Sequence, residues 1–383
     1  VHLLDGAPPA VTALTTALES ALAGGPPVLA LDAANPQTPA LRAAMCPDEP
    51  VEPDTAVIVA TSGSTGEPKG VLLSPSALLA SARATHERLG GPGHWLLATP
   101  AQYIGGIQVL VRSLVAGSAP GVLDLSGGFR GPAFASAAAA VLARPGRHYT
   151  ALVPAQLARL LDAGGEALDA ARGFAAIVLG GAALTAALRA RAEDAGVRVV
   201  SAYGMSETAS GCVYDGVALS GVDVRLDDEP GAIALSGPVL AHGYRLRPDL
   251  TEAAFSGGVF RTGDLGRLTA DRRLEVLGRA DDVINTGGVK VAPVLVERVL
   301  TAQPGVADAC VLGVSDSDWG QRVVAAVVAS DPAVAEDALA DAVRAELGRA
   351  CVPRGFAYLG ELPMHGPGKV DRAALRELFG TNG

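Results

Sequence analysis

Residues 61–70 read TSGSTGEPKG and follow the apolar run AVIVA at 56–60. Ten residues so rich in hydroxyls, glycine and lysine after a strand-like run describe a phosphate-handling loop. Gly63, Gly66 and Gly70 let the backbone curve so that successive N–H groups point at one anion. Thr61, Ser62, Ser64 and Thr65 add hydroxyl donors, and Lys69 adds a full positive charge. A flexible surface loop with a solvated lysine is the competing account. A Walker-type loop needs its glycine and lysine where Pro68 and Lys69 stand, and no G-x-G-x-x-G follows a strand-like run. The segment is therefore a different kind of nucleotide loop.

Five later stretches carry side chains of the same kind. In YGMSETASG (203–211), Tyr203 offers a ring on which a purine stacks, Ser206 and Thr208 offer hydroxyls, and Glu207 is an acceptor suited to Mg2+. A helix N-cap with its acid is the alternative there. LGGAALT (179–185) ends a strand-like run with Gly180 and Gly181, where a flat ligand ring can lie against backbone or where the chain simply turns. RTGDLG (261–266) puts Asp264 in a glycine-flanked turn able to aim a carboxylate at two neighbouring ribose hydroxyls, although an ordinary Asp turn is written the same way. GRADDVINTGGVKV (278–291) and PMHGPGKVDR (363–372) present Arg279, a Gly-Gly turn and Lys369 on segments that surface loops also use. Each stretch alone is ordinary; all five in this order are not.

A scaffold must hold these side chains, and 383 residues exceed one comfortable core. From Ala56 to about Val200 short apolar runs alternate with alanine-rich helical stretches, the pattern of parallel strands joined by crossover helices. The runs predict strands at 56–60, 95–99, 149–153, 174–179 and 197–202, and helices at 75–89, 104–116, 132–143, 154–163 and 185–195. Between Gly221 and Gly278 the helical stretches vanish and short alternating segments predict an antiparallel sheet or small barrel. Beyond it, helices near 293–302, 335–348 and 371–379 and strands near 306–314 and 322–329 predict a separate α+β module.

Aromatics are only 4% of the chain, so the core must be aliphatic and the few tyrosines stand out as placed for a purpose. A formal charge of −10 argues against a nucleic-acid partner, whose binding needs clustered Lys and Arg. No run is apolar and long enough for membrane insertion and no leader-like segment opens the sequence, so the protein is expected to be cytoplasmic. Cys46, Cys212, Cys310 and Cys351 are too scattered for a metal site, and Cys212 alone lies near a motif.

In combination the motifs resemble the acyl-adenylate-forming superfamily of acyl-CoA synthetases, luciferases and peptide-synthetase adenylation domains, from about residue 56 to the C-terminus. The resemblance implies an α/β fold: a large N-terminal nucleotide- and acyl-binding domain (1–280) of layered α/β sheets, with a small antiparallel β subdomain at about 221–280. A small mobile α+β lid domain (281–383) follows, hinged at Asp281. It also implies Thr61, Ser62, Gly63, Ser64, Thr65, Gly66 and Lys69 on the β,γ-phosphates of ATP, and Glu207 on Mg2+. Gly180, Gly181, Ala182 and Tyr203 would enclose adenine, with Gly204, Met205, Ser206 and Thr208 in the same cofactor-binding segment. Asp264 would bind the ribose hydroxyls, Arg279 ribose or phosphate oxygens, and Lys369 the substrate carboxylate and α-phosphate. Gly287 and Gly288 would line the pantetheine tunnel of coenzyme A.

Within that superfamily, YGMSETASGCVYDGV (203–217), YIGGIQVLVRSLVAG (103–117) and YTALVPAQL (149–157), with the short region ahead of the phosphate loop, are similar to the short o-succinylbenzoate–CoA ligases of menaquinone biosynthesis. This implies an aromatic dicarboxylate as the small-molecule substrate. Tyr103, Gln156, Ser210 and Gly211 are expected to contact it, by nearness to the motifs. Gln102 and Tyr103 stand where the superfamily often has an aromatic–histidine pair, which leaves gating of the acyl pocket open. A ligase for another carboxylic acid and a non-catalytic binding module of the same fold are the alternatives. A homodimer is compatible with the sequence, which leaves the oligomeric state open.

Overall fold

The structure, a computed structural model, describes residues 1–62, 67–227, 231–331, 334–364 and 370–380. Gly63, Ser64, Thr65, Gly66 and Lys369 lie outside the described residues, as does the side chain of Ser62.

The chain opens with β1 (His2–Leu4), α1 (Pro8–Leu22), β2 (Val28–Asp32) and α2 (Thr38–Ala44). Next come β3 (Val57–Ser62), β4 (Pro68–Leu73), α3 (Pro75–Arg88), β5 (His94–Leu97), α4 (Ile104–Val115), β6 (Gly121–Val122) and α5 (Gly131–Leu142). Then follow β7 (His148–Leu152), α6 (Pro154–Ala163), α7 (Gly165–Gly173), β8 (Ala176–Leu179), α8 (Ala186–Asp194), β9 (Val199–Met205), β10 (Ser210–Tyr214) and β11 (Val217–Ala218). The β-rich stretch holds β12 (Asp223–Asp227), β13 (Gly231–Ser236), β14 (Gly243–Tyr244), α9 (Pro248–Ala254), β15 (Phe255–Ser256), β16 (Val259–Leu268) and β17 (Leu274–Arg279). The last part is β18 (Ile284–Thr286), β19 (Val289–Val291), α10 (Pro293–Thr301), β20 (Val306–Asp316), β21 (Gly320–Ala329), α11 (Glu336–Leu347), β22 (Phe356–Leu359) and α12 (Arg372–Gly380).

Among the described residues these strands form four sheets. The first runs β1-β2-β3-β4-β14, parallel until β4 turns back against β3. The second runs β11-β10-β9-β8-β7-β5-β6, with β9, β8, β7, β5 and β6 parallel. The third runs β12-β13-β16-β15 with β17 on β16, and the fourth β19-β18-β21-β20 with β22 on β21. The first two sheets are the layered α/β sheets expected of the N-terminal domain; the strand-like runs read from residue 56 onward do not include β1 and β2, which the first sheet draws from residues 1–55. The apolar periodicity for that segment is present: Val11, Leu14, Leu18 and Ala21 of α1 are all buried.

The strands are buried because they are continuous apolar runs, not alternating ones. Val57, Val59, Val71, Leu73, Trp95, Leu97 and Val178 all belong to one core with Leu78 and Ala82 of α3 and Ile107, Leu110 and Val111 of α4. Full burial of one such aliphatic side chain contributes ~2 kcal/mol. Pro75 follows the N-cap Ser74, whose hydroxyl accepts from Ala77 N at 3.1 Å, so α3 starts at a fixed residue. Among the described residues no helix is long and apolar enough to cross a membrane.

The chain divides into two compact units, one of Val1–Gly181, Arg191–Arg225 and Ala234–Arg261, the other of Ala182–Ala190, Leu226–Ile233 and Thr262–Gly383. The second unit takes in β17, ahead of residue 281, for a reason its contacts give. Arg298 of α10 pairs with Glu275 and donates to the Val276 carbonyl at 3.2 Å.

Candidate active site

The phosphate-loop segment is a hairpin. β3 and β4 pair in antiparallel register with Thr61 opposite Lys69 and Ala60 opposite Gly70, and Thr61 Oγ1 donates to the Lys69 carbonyl at 3.3 Å. Lys69 is thus a strand residue with a fixed direction. Gly70 also lies in the strand, and its role differs from the curvature expected of it. A Cβ there would meet Met45 Sδ at 2.6 Å, Ile58 Cγ2 at 3.1 Å and Arg245 Cβ at 3.2 Å. Close packing, not a turn, requires glycine at this position.

β14 pairs with the far side of β4, placing Tyr244 opposite Val71. Successive residues of a strand alternate faces, so Lys69 and Val71 share one, and the Tyr244 ring lies diagonal to Lys69. Lys69 Nζ sits 4.9 Å from the ring centroid. The Tyr244 hydroxyl donates to Glu207 Oε1 at 2.9 Å. A cation and a carboxylate distant in sequence are therefore joined through one buried ring.

Glu207 is held by its own turn. It lies in a short 3-10 segment, Ser206–Thr208, between β9 and β10. The Thr208 hydroxyl accepts from Met205 N at 2.9 Å and donates to the Ser210 carbonyl at 2.7 Å. It is fully buried, so Thr208 serves the turn from below. The Glu207 carbonyl accepts from Ala241 N at 2.8 Å, tying the approach to β14 to the same turn. Ala209 (φ 48) and Ser210 (φ 91) are left-handed without being glycine, a costly backbone of the kind found at sites where surroundings fix it. Mg2+ commonly takes one or two carboxylates and completes its shell with water and substrate phosphates. Glu207 fits that habit: one oxygen is held by Tyr244 and the residue is only half-buried.

Tyr203, half-buried on β9, pairs with Val213, while Gly204 faces Gly211 and Met205 faces Ser210 across the β9–β10 hairpin. Gly180, whose N–H donates to the Leu152 carbonyl at 3.2 Å, and Gly181 follow β8 in the same unit. Ala182 is counted in the second unit and is exposed. Gln156 is buried with its amide committed, accepting from Val153 N at 2.9 Å and donating to the Ala98 carbonyl at 2.8 Å. Tyr103 is 41% exposed and lines a small cavity with Asp32, Asn35, Leu41 and Gln102. Gln102 donates to Asp32 Oδ2 at 3.2 Å. Burial and then the Asp32 carboxylate push the Tyr103 phenol above its usual pKa. Cys212 is buried, which drives its thiol up to about 12 and leaves it inert despite its position.

In the second unit Asp264 and Arg279 are cross-strand partners on β16 and β17. Arg279 Nη1 donates to the Thr262 carbonyl at 2.9 Å and lies 3.3 Å from Asp264 Oδ1. Gly263 has φ +73, and a Cβ there would meet Arg279 Nη2 at 2.9 Å, so only glycine lets the guanidinium fold over the strand. Asp281 lies in a 3-10 turn (Ala280–Asp282) with its side chain 75% exposed, 3.7 Å from Arg279. Gly287 and Gly288 form the two-residue turn between β18 and β19, both at positive φ as a type I′ hairpin needs. Lys369 lies outside the described residues; after it, Asp371 N donates to the Pro363 carbonyl at 2.7 Å.

Sequence reasoning passed over Tyr244. It stands in VLAHGYRLRPD, outside every motif, in a two-residue strand with no period to read. The available signal was the scarcity of tyrosine.

A nucleotide-binding α/β body, a strand-borne lysine and carboxylate gathered on one ring, and a separate α+β module define an adenylate-forming type of enzyme. The chain belongs to the AMP-binding enzyme family, which it matches over residues 8–245, with that family's C-terminal domain at residues 295–369. It is 44% identical over 97% of its length to a probable 2-succinylbenzoate–CoA ligase of Mycobacterium tuberculosis, covering 96% of that protein. Among solved structures it resembles o-succinylbenzoate CoA synthetase from Bacillus subtilis in complex with the acyl-adenylate intermediate OSB-AMP. The TM-score is 0.73 at 29% identity, over 85% of this chain and 70% of that one. The same synthetase in complex with ATP and magnesium ion gives a TM-score of 0.72 at 29% identity, with the same coverage.

Proposed function

We propose that this protein is an AMP-forming acid–thiol ligase that joins 2-succinylbenzoate to coenzyme A through an acyl-adenylate, a step of menaquinone biosynthesis. The observation that carries the reading is the Lys69–Tyr244–Glu207 cluster behind the phosphate-loop hairpin. The 44% identity to the mycobacterial protein supports the choice of acid.

In the first half-reaction a carboxylate oxygen of the acid attacks the α-phosphorus of ATP, the bond to the β-phosphate oxygen breaks, and pyrophosphate leaves. Two anions must meet, so offsetting their repulsion is the main task. Thr61 and Lys69 with the loop 62–66 hold the β,γ-phosphates, and Lys369 binds the carboxylate and α-phosphate oxygens. Mg2+, when bound through Glu207, neutralises phosphate charge. Tyr203 and the Gly180–Gly181 backbone border adenine, and Asp264 and Arg279 take the ribose. In the second half-reaction the thiol sulfur of coenzyme A forms the new bond to the acyl carbon and AMP leaves. In this reading the C-terminal module (281–383) turns about Asp281 between the halves, bringing Gly287 and Gly288 to the pantetheine path. Tyr103, Ser210 and Gly211 border the acyl group. A cytoplasmic location and a homodimer are compatible with this reading.

The test is release of AMP and pyrophosphate by purified protein with ATP, Mg2+, coenzyme A and a panel of carboxylic acids. Turnover of 2-succinylbenzoate well above that of benzoate and medium-chain fatty acids is expected. Equal turnover of those acids would reassign the substrate, and no pyrophosphate with any acid would leave a non-catalytic module.

A further inference from the structure

Lys69 and Glu207 stand on the same tyrosine ring, yet neither forms an ion pair among the described residues. An ammonium and a carboxylate this near to one side chain attract each other, and a direct pair would quench both charges. Each instead contacts a different part of Tyr244, Lys69 the ring and Glu207 the hydroxyl. The ring is fixed by contacts of its own. Tyr244 N donates to Thr251 Oγ1 at 2.9 Å, its strand pairs with β4, and Phe255 packs edge-on at 5.7 Å between centroids. At 6% exposure it has no room to swing away.

We infer that Tyr244 is a positioning residue for adenylation: its ring face holds Lys69 and its hydroxyl holds one oxygen of Glu207, keeping the two charges apart and ready for the triphosphate and its metal. The two ends act differently. The hydroxyl donates to Oε1, so it fixes the carboxylate plane and directs the remaining lone pairs to a cation. The ring attracts the ammonium through its quadrupole without neutralising it, so Lys69 keeps its charge for the phosphates. This inference rests on the proposed ligase reading.

The two ends separate by substitution. Tyr244→Phe keeps the ring and loses the hydroxyl; Tyr244→Leu loses both. Expected for Tyr244→Phe is an approximately tenfold rise in the Mg2+ concentration giving half-maximal acyl-adenylate formation, the scale of one hydrogen bond to a charged group. Calorimetric ATP affinity without Mg2+ should stay unchanged. Tyr244→Leu should weaken that metal-free affinity as well. Conversion of supplied acyl-adenylate and coenzyme A to thioester should be unaffected in both. In a Glu207→Gln background the added Tyr244→Phe change should no longer move the Mg2+ dependence, which a merely structural tyrosine would not predict. An unchanged Mg2+ requirement in Tyr244→Phe, or an equal shift in the Glu207→Gln background, would overturn the inference. If wild-type protein forms no acyl-adenylate with any acid, the ligase reading fails instead; metal-free ATP binding by the Phe and Leu variants still tests the ring.

Discussion

His86 accepts the Trp95 indole N–H through Nε2 at 3.1 Å, and since an indole only donates, that nitrogen must be unprotonated. Burial, and then the nearby Arg112 guanidinium, lower its pKa from 6.5 to about 4. Between those values the unfolded chain binds a proton that the folded one refuses. The stabilising contribution is therefore complete above about pH 6.5 and is lost as pH falls toward 4. At 1.36 kcal/mol per pKa unit, folding should lose ~2 kcal/mol between pH 7 and pH 5 from this group. Urea unfolding at the two pH values measures it, and His86→Gln, which keeps an acceptor for the indole, should shrink the drop by that amount. Such a residue is invisible in sequence, where a histidine in SARATHERLG reads as an exposed helix residue. Only its 5% exposure reveals what it does.

At the scale of elements, β14 spans two residues and cannot hold itself in a sheet by pairing alone. Arg245, next along the chain and 3% exposed, supplies the anchor. Its guanidinium donates to the carbonyls of Met45 (2.5 Å), Cys46 (2.6 Å), Glu49 (3.0 Å) and Pro50 (3.1 Å) and to Glu52 Oε2 (2.9 Å). One side chain thus gathers the turn after α2, and Arg245 N donates to Gly70 of the phosphate-loop hairpin at 2.8 Å. Lysine has three donors and no planar fork, so Arg245→Lys should cost ~3 kcal/mol of folding free energy, within the range for a broken buried pair. Denaturant titration reads the loss as a lower midpoint at unchanged slope. The crossover helices were legible because they are long and periodic; α6 runs over the predicted residues 154–163. β1, β2, α2 and the tie at β14 were not, because short segments carry no period and their partners lie far off in sequence; α1 does carry the helical period, in Val11, Leu14, Leu18 and Ala21.

For the molecule as a whole, each compact unit brings its own share of cations and carboxylates: Lys69 and Glu207 in one, Asp264 and Arg279 in the other. The ligase reading gives the C-terminal module a part in only one half-reaction through Lys369. Lys369→Ala should therefore abolish acyl-adenylate formation, by at least ~100-fold for loss of a charge on the reacting oxygens. Conversion of supplied acyl-adenylate and coenzyme A to thioester should be spared. Quenched-flow measurement of the two halves separates them, and equal loss in both would contradict a module that turns between steps.

Residue types and their order determined the chemistry on offer: a hydroxyl- and glycine-rich loop with a lysine, an acid after a tyrosine and glycine, and an aspartate in a glycine turn. The sequence even marks its special cations, since Lys69, Lys290 and Lys369 are its only lysines among 30 basic residues. Composition and local pattern sufficed because phosphate and metal binding depend on functional groups that few residues carry. Tertiary structure alone decided that Gly70 is a packing glycine, that Gln156 and Thr208 are spent on backbone, and that Tyr244 joins Lys69 to Glu207. Those facts depend on which surfaces meet when distant segments pair, and pairing between strands leaves no mark on either strand by itself.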